Sequence, residues 1–234
     1  MRASWLSVPA ACLALAAALC APGCARDRDV PDWLKAKQPQ DDFDRATGRP
    51  PTPKTLFAMG KLLASQGRDT EAAAMFIEVV RQQPRLIPAY YELADVHMRH
   101  NNLSRAAAVL SAGLQVAPHD PVLLNNLGMC RLFQKDYPAA LANFTKAAAA
   151  APGDGRYRAN IALALGLMGR YEECLAVYGQ LLNPAEAHYN LAVICDIRGD
   201  EKRADAEYAK AFALDTTLKS RRTPRPARAK AGTK

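Results

Sequence analysis

Aromatic residues make up only 7% of this 234-residue chain. A core must therefore be assembled mainly from small and aliphatic side chains that let helices approach closely. Glycine (13) and proline (16) are too scarce for a fibrous or low-complexity chain. Signatures of catalysis are missing too: there is no GxxxxGK[S/T] phosphate loop, no HExxH metal pair and no GxSxG nucleophile turn. His97 and His100 can share a helix face, but no third ligand accompanies them, so no metal site is expected. A non-catalytic protein without cofactor or small-molecule substrate is the expectation. The body also lacks net charge. Of the formal +8, seven charges belong to Lys219, Arg221, Arg222, Arg225, Arg228, Lys230 and Lys234, and Arg2 supplies the eighth. Residues 3–218 are thus neutral overall, which weakens a nucleic-acid reading, since such a domain normally carries its basic stripe on the folded body.

What is present is apolar content of 50%, too high for a disordered chain. A mean hydropathy of -0.18 is too low for a polytopic membrane protein. The length suits one domain or one elongated array.

Between Arg2 and Arg26 there is no charge, and Trp5 to Leu19 is rich in alanine and leucine. A positive start, an apolar centre and small residues at its end define an export signal, assigned to residues 1–23. Ala21-Pro22-Gly23-Cys24 resembles the lipobox of bacterial lipoproteins, with Ala21 standing where leucine is usual. That resemblance implies lipidation of Cys24 and a membrane-anchored lipoprotein facing the periplasm. Ordinary cleavage to a soluble secreted or periplasmic protein, and an uncleaved anchor, remain open at this stage. Residues 24–52 form a linker in which six acids balance six bases and Pro31, Pro39, Pro50 and Pro51 interrupt any regular element. A flexible linker of about 28 residues holds the next domain on the order of 30 Å from its anchor. At the other end, residues 219–234 carry seven bases with Pro224 and Pro226, which predicts a disordered basic tail. Such a tail suits an anionic lipid, a cell-wall polymer or another polyanion through salt-sensitive charge.

Six cysteines suggest disulfides, but Cys12, Cys20 and Cys24 lie in or at the end of the signal. Cys130, Cys174 and Cys195 remain, an odd number without a CxxC, and read as small buried helix residues. A Cys174–Cys195 bridge stays open, since sequence supplies no geometry.

The rest of the chain is organised by a repeat. Gly60, Ala94, Gly128 and Ala162 recur every 34 residues, each after a large apolar residue (Met59, Leu93, Leu127, Ile161). Ala72, Ala106, Ala140 and Cys174 recur at the same interval, as do Phe76, Leu110, Phe144 and Tyr178. Pro84, Pro118 and Pro152 close the first three units by removing a backbone donor. Gly67-Arg68-Asp69, Asn101-Asn102, Lys135-Asp136, Gly169-Arg170 and Gly199-Asp200 read as turns between paired helices. Gly169 and Gly199 are only 30 residues apart, so the second helix of unit four should lose about one turn. The units are 53–86, 87–120, 121–154, 155–184 and 185–218. In the last one Glu201, Lys202, Arg203, Asp205, Glu207 and Lys210 read as the polar outer face of a terminal repeat, with no separate capping helix after it.

This pattern resembles the tetratricopeptide repeat family, in which W-x2-L-G-x2-Y, A-x3-F and P recur at period 34. The best instances are Leu56-x2-Met59-Gly60-x2-Leu63 with Ala72-x3-Phe76, and Leu124-x2-Leu127-Gly128 with Ala140-x3-Phe144. The resemblance implies an all-α fold, a right-handed superhelix of about five helix-turn-helix repeats whose first helices line the concave side. His97 and His188 fall on its core positions and read as packed residues. By position the groove presents Phe57, Lys61, Tyr91, Asp95, Arg99, Asn125, Met129, Phe133, Leu163, Leu167, Tyr189 and Val193. The lysines and asparagines of the carboxylate clamp are absent. Asn126, Asn160 and Asn190 share one register position and resemble the peptide-holding asparagines of sugar-transferase relatives. On this resemblance a protein partner, or an extended segment of one, would be held by Asn126, Asn160, Asn190, Tyr91, Asp95, Arg99, Met129, Phe133 and Tyr189. The order signal, lipobox, linker, repeats resembles small lipoproteins that help assemble pili and secretion channels. Arg156 to Leu167 with Gly169-Arg170-Tyr171-Glu172-Glu173 is similar to those of tight-adherence (Flp) pilus assembly. The implied function is an interaction scaffold at a bacterial cell envelope; the alternative is an adaptor that binds wall or lipid through its tail.

Overall fold

The computed structural model describes residues 50–222. Ten α-helices and one 3-10 helix make up those residues, arranged as five helical hairpins in chain order. They are α1 (Pro53–Ser65), α2 (Asp69–Gln82), α3 (Ile87–Arg99), α4 (Leu103–Val116) and α5 (Pro121–Phe133). Then follow α6 (Tyr137–Ala150), α7 (Gly155–Leu167), α8 (Tyr171–Tyr178), α9 (Pro184–Arg198) and α10 (Glu201–Leu214).

Local chemistry sets the helix ends. Asp120 accepts from the amides of Val122 (3.0 Å) and Leu123 (2.8 Å), Asp154 from Arg156 (3.0 Å) and Asn183 from Glu186 (2.9 Å). Each satisfies backbone donors that a first turn leaves orphaned. All five hairpin turns pass through a positive φ at one equivalent residue: Gly67, Asn101, Lys135, Gly169 and Gly199. Glycine occupies three of these positions because it reaches that region without a Cβ clash.

Packing follows the repeat. The inner side of each hairpin joins a small residue to a large one, and a Cβ on Gly60 would lie 2.7 Å from the ring of Phe76. On Gly128 it would lie 2.5 Å from Phe144. Both rings are fully buried. Each second helix then lies against the first helix of the next unit, so neighbours complete each other's core. First helices of successive units also touch, α1 with α3, α3 with α5 and α7 with α9. They therefore share the inner side of the stack.

Four details depart from the sequence reading. First, α8 has 8 residues where every other second helix has 14. The loss approaches two turns rather than one, and α9 consequently packs against α7 as much as against α8. Second, Pro184, assigned above to the end of unit four, is the first residue of α9, capped by Asn183. Proline is accepted there because the first helical amide has no intrahelical partner. Third, Glu207, expected on the outer face, is fully buried. Fourth, the chain does not leave the fold at residue 218. Thr216–Arg221 forms a 3-10 helix that buries Leu218 against Ala185 and Ala211. Arg222 lies 4.3 Å over the Tyr208 ring and donates to Asp205 at 2.7 Å. Residues 219–222 thus cap the last repeat; the remainder of the expected basic tail, like the signal, Cys24 and the linker to residue 49, lies outside the described residues.

Candidate functional site

The inner side of the first helices changes character along the stack. In units one and two it is charged and self-paired. Arg99 donates to Asp95 and to Asp69, each at 2.5 Å, and His100 meets the other oxygen of Asp69 at 2.8 Å. The Arg99 guanidinium keeps Asp69 below the ordinary carboxylate range, against a smaller opposing effect of burial. Tyr91 donates to Asp120 at 2.7 Å, tying α3 to the cap of α5. Desolvation and that carboxylate raise the phenol far above its ordinary range. Tyr91, Asp95 and Arg99 are therefore already engaged within the protein.

Units three to five carry fewer charges there and are more apolar, with Arg156 at the edge of α7. Asn160 donates to Asn125 at 2.7 Å, and Asn125 donates to Asn126 at 3.3 Å. Of the three asparagines in register, two are thus joined through a fourth, Asn125, which belongs to the groove by position but not to the ladder. Its role follows from the crossing of α5 and α7, which spacing along the chain does not encode. Asn190 stands apart, with no hydrogen bond to any described residue. Met129 is half-buried against the core, whereas Phe133 is 53% exposed at the end of α5. Tyr189 packs edge-on against Tyr208, 5.4 Å between centroids, and beside Phe212. It belongs to the packing beneath the carboxyl-terminal cap.

Between α7 and α9 a cavity of about 490 Å³ opens, lined among others by Ala159, Leu163, Leu181, Leu182, Asn190 and Ile197. Leu181 and Leu182 come from the connection that replaces the missing turns of α8. Ile197 is 67% exposed at its rim.

Nothing else among the described residues gathers reactive groups. Cys130, Cys174 and Cys195 are buried free thiols, and burial pushes Cys130 up to about 11 and Cys174 to about 12. Thiols held so high are not nucleophilic at neutral pH. No cluster of three or more metal-ligating side chains occurs among the described residues, and no described helix is long and apolar enough to cross a membrane. His188 pairs with Glu207 at 2.6 Å and His97 is half-buried, so each is used in packing.

Comparison with known proteins bears on the same residues. One tetratricopeptide repeat model matches residues 57–121 and 91–155, and a second matches 185–217. Protein O-mannosyl-transferase TMTC1 of Mus musculus is 27% identical over 71 residues, 30% of this chain and 8% of that protein. The match therefore spans less than a tenth of that relative's length. Among solved structures, YrrB, a TPR protein with an unusual peptide-binding site, superposes with a TM-score of 0.57 at 19% identity, covering 75% of this chain and 93% of that one. MamA from Desulfovibrio magneticus RS-1 gives 0.58 at 21%, covering 70% and 96%. TTC0263, a thermophilic TPR protein in Thermus thermophilus, gives 0.51 at 20%, covering 73% and 96%. At these identities the likeness is one of fold.

Proposed function

We propose that this chain, which belongs to the tetratricopeptide repeat family, is a non-catalytic scaffold holding an extended segment of a partner protein along its first helices. Proteins of this family are interaction scaffolds that bind proteins or peptides in their groove, and the fold is typically non-catalytic. The observation that carries the reading here is the composition of the inner side from unit three onward. Half-buried asparagine amides stand beside exposed Phe133 and Ile197, without a charged cluster. An asparagine amide offers one donor group and one acceptor, the complement of a peptide unit, and exposed apolar side chains supply area to bury. Asn126, Asn160, Asn190, Met129 and Phe133 are the contacting set, whereas Tyr91, Asp95, Arg99 and Tyr189 shape the groove through their internal partners.

The proposal extends to location and role. A tether through Cys24 would place the scaffold at a bacterial envelope, facing the periplasm. The support is the lipobox-like Ala21-Pro22-Gly23-Cys24 after an apolar stretch, and the neutral linker to residue 52. Assistance to pilus or secretion assembly is supported by the similarity of residues 156–173 to tight-adherence proteins. The bases of 223–234 supply a second, charge-driven contact with anionic polymer. A photo-crosslinking side chain at Phe133, compared with one at exposed Ala142 on α6, tests the scaffold reading in cells. Adducts to a discrete protein from Phe133 alone support it; equal labelling from both sites refutes use of the inner side. Mass spectrometry of the mature amino terminus tests the tether, and an unmodified residue there ends it.

A further inference from the structure

The cavity between α7 and α9 combines three features that no other described part of the inner side shows together. Its wall is apolar, built from Leu163, Leu181, Leu182 and Ile197. It exists because α8 stops at Tyr178 and a short connection fills the place of two helical turns. It also contains Asn190, whose amide lacks a partner among the described residues, whereas Asn126 and Asn160 are both tied to Asn125. We propose that this cavity is the anchoring subsite of the groove: it takes one large apolar side chain of an extended peptide, while Asn190 pairs with the backbone beside that side chain. The inference rests on the reading that the groove holds an extended segment.

The occupant follows from the lining. A half-buried amide group without a partner loses hydrogen bonds whenever something apolar covers it. The backbone of a helix could not relieve that loss, because its groups are already paired internally. An extended segment presents a free N–H and C=O on the same side and relieves it. The side chain that enters must be apolar, since a charged one would be desolvated without compensation. Arg156, the one charged residue among those lining the cavity, holds Asp154 with two nitrogens, the closest approach being 2.6 Å. Its charge is therefore engaged at the rim. About 490 Å³ lies within the range of about 300–1,000 Å³ typical of ligand sites, with room for a large side chain and the backbone carrying it.

Gly155 makes the test clean. It is the first residue of α7 and lines the cavity, and an added Cβ would sit 3.5 Å from Leu181 Cδ2, an ordinary contact. Gly155→Leu should place a side chain in the cavity from a position whose new Cβ meets Leu181 at no more than ordinary contact. Ile197→Ser removes one wall at an exposed position, so it leaves folding untouched. The probes are fluorescein-labelled alanine-serine peptides of eleven residues with a single central Leu, Phe, Lys or Glu, titrated by anisotropy against the full chain. Leu and Phe guests should bind about tenfold to a hundredfold tighter than Lys or Glu, as burial of one apolar side chain implies. Gly155→Leu and Ile197→Ser should erase that preference, while Asn190→Ala weakens every guest by a similar factor. Guest-independent binding that falls with Asn160→Ala but ignores Gly155→Leu, Ile197→Ser and Asn190→Ala overturns the anchoring site and keeps the groove. Absence of saturable binding by any peptide overturns both.

Discussion

The first three hairpins and the last two solve the same packing problem differently. In units one and three a glycine meets a buried phenylalanine, Gly60 with Phe76 and Gly128 with Phe144, at distances that exclude even a methyl group. Shape alone holds those helices. Units four and five keep such packing, a Cβ on Gly166 lying 2.9 Å from Ile194, but add polar contacts and space to it. Where Leu56, Tyr90 and Leu124 stand in the earlier units, these have Arg158 and His188. The Arg158 Nε is buried without a described partner. His188 reaches the fully buried Glu207, which Lys210 also holds at 2.9 Å. A repeat array with nearest-neighbour coupling tolerates such local change because each unit contacts only its neighbours. The irregular pair, with its shortened α8, carries the cavity between α7 and α9.

The largest effect expected is in the regular half. Phe144→Ala should cost about 3–5 kcal/mol, read by urea denaturation. Tyr178→Ala, at the equivalent position beside the cavity, should cost clearly less, since part of its surroundings is already empty. Equal losses would dissolve the contrast between the two halves.

Next comes Glu207→Gln, with an expected loss of about 1–3 kcal/mol from a buried group that keeps its shape but loses its charge. Burial by itself would raise this carboxyl, yet hydrogen bonds from Lys210 and His188, with the charges of Lys210 and Arg203, together hold it below the ordinary range. A folded-state value below the unfolded one means stabilisation present above about 4.5 and lost as pH falls through the folded value. Wild-type stability should fall more steeply than that of the variant in acid below that point. Parallel curves would remove Glu207 from the account.

A smaller gain is expected at a hairpin turn. Lys135 holds φ at +63°, where three equivalent residues are glycine. Lys135→Gly should stabilise by about 1 kcal/mol, from relief of the left-handed backbone. A decrease in melting temperature would show that side-chain contacts of Lys135 outweigh that strain.

The least effect is a slope. Burial, with the charges of Arg105 and His100 nearby, holds His97 below its ordinary value of 6.5. The unfolded chain therefore takes up the proton first, and stability is lost as pH falls from about 6.5 through the folded value. His97→Gln should flatten this part of the curve while leaving the acid limb due to Glu207. Thermal denaturation at pH 7 and 5.5 separates the two regions; a slope unchanged by the substitution excludes His97.

Periodicity made the fold legible. A small residue every 34 positions, a large apolar one before it and a closing proline recur in register, and hairpins that cannot bury their faces alone must stack. The hairpin turns were equally readable, since glycine or asparagine marks four of the five positive-φ positions. Register also placed Phe133 and the asparagines on the first helices. What it could not supply was occupancy: Tyr91 bonded to Asp120, Arg99 to Asp69, Asn160 to Asn125, in each case a partner 29 to 35 residues away. Glu207 was misread because a charged residue on a terminal helix ordinarily faces water, and only its neighbours on α9 and α10 show otherwise.

By itself, then, the sequence determined the repeat, the number of hairpins and most of the faces they bury, because all of these depend on residues close in the chain or in strict register. The tertiary structure alone decided which groove side chains remain available, how far α8 shortens, where the carboxyl-terminal cap forms and that a cavity opens between α7 and α9. Those outcomes depend on how successive units approach one another, and the approach is set by summed packing across unit boundaries rather than by any local pattern.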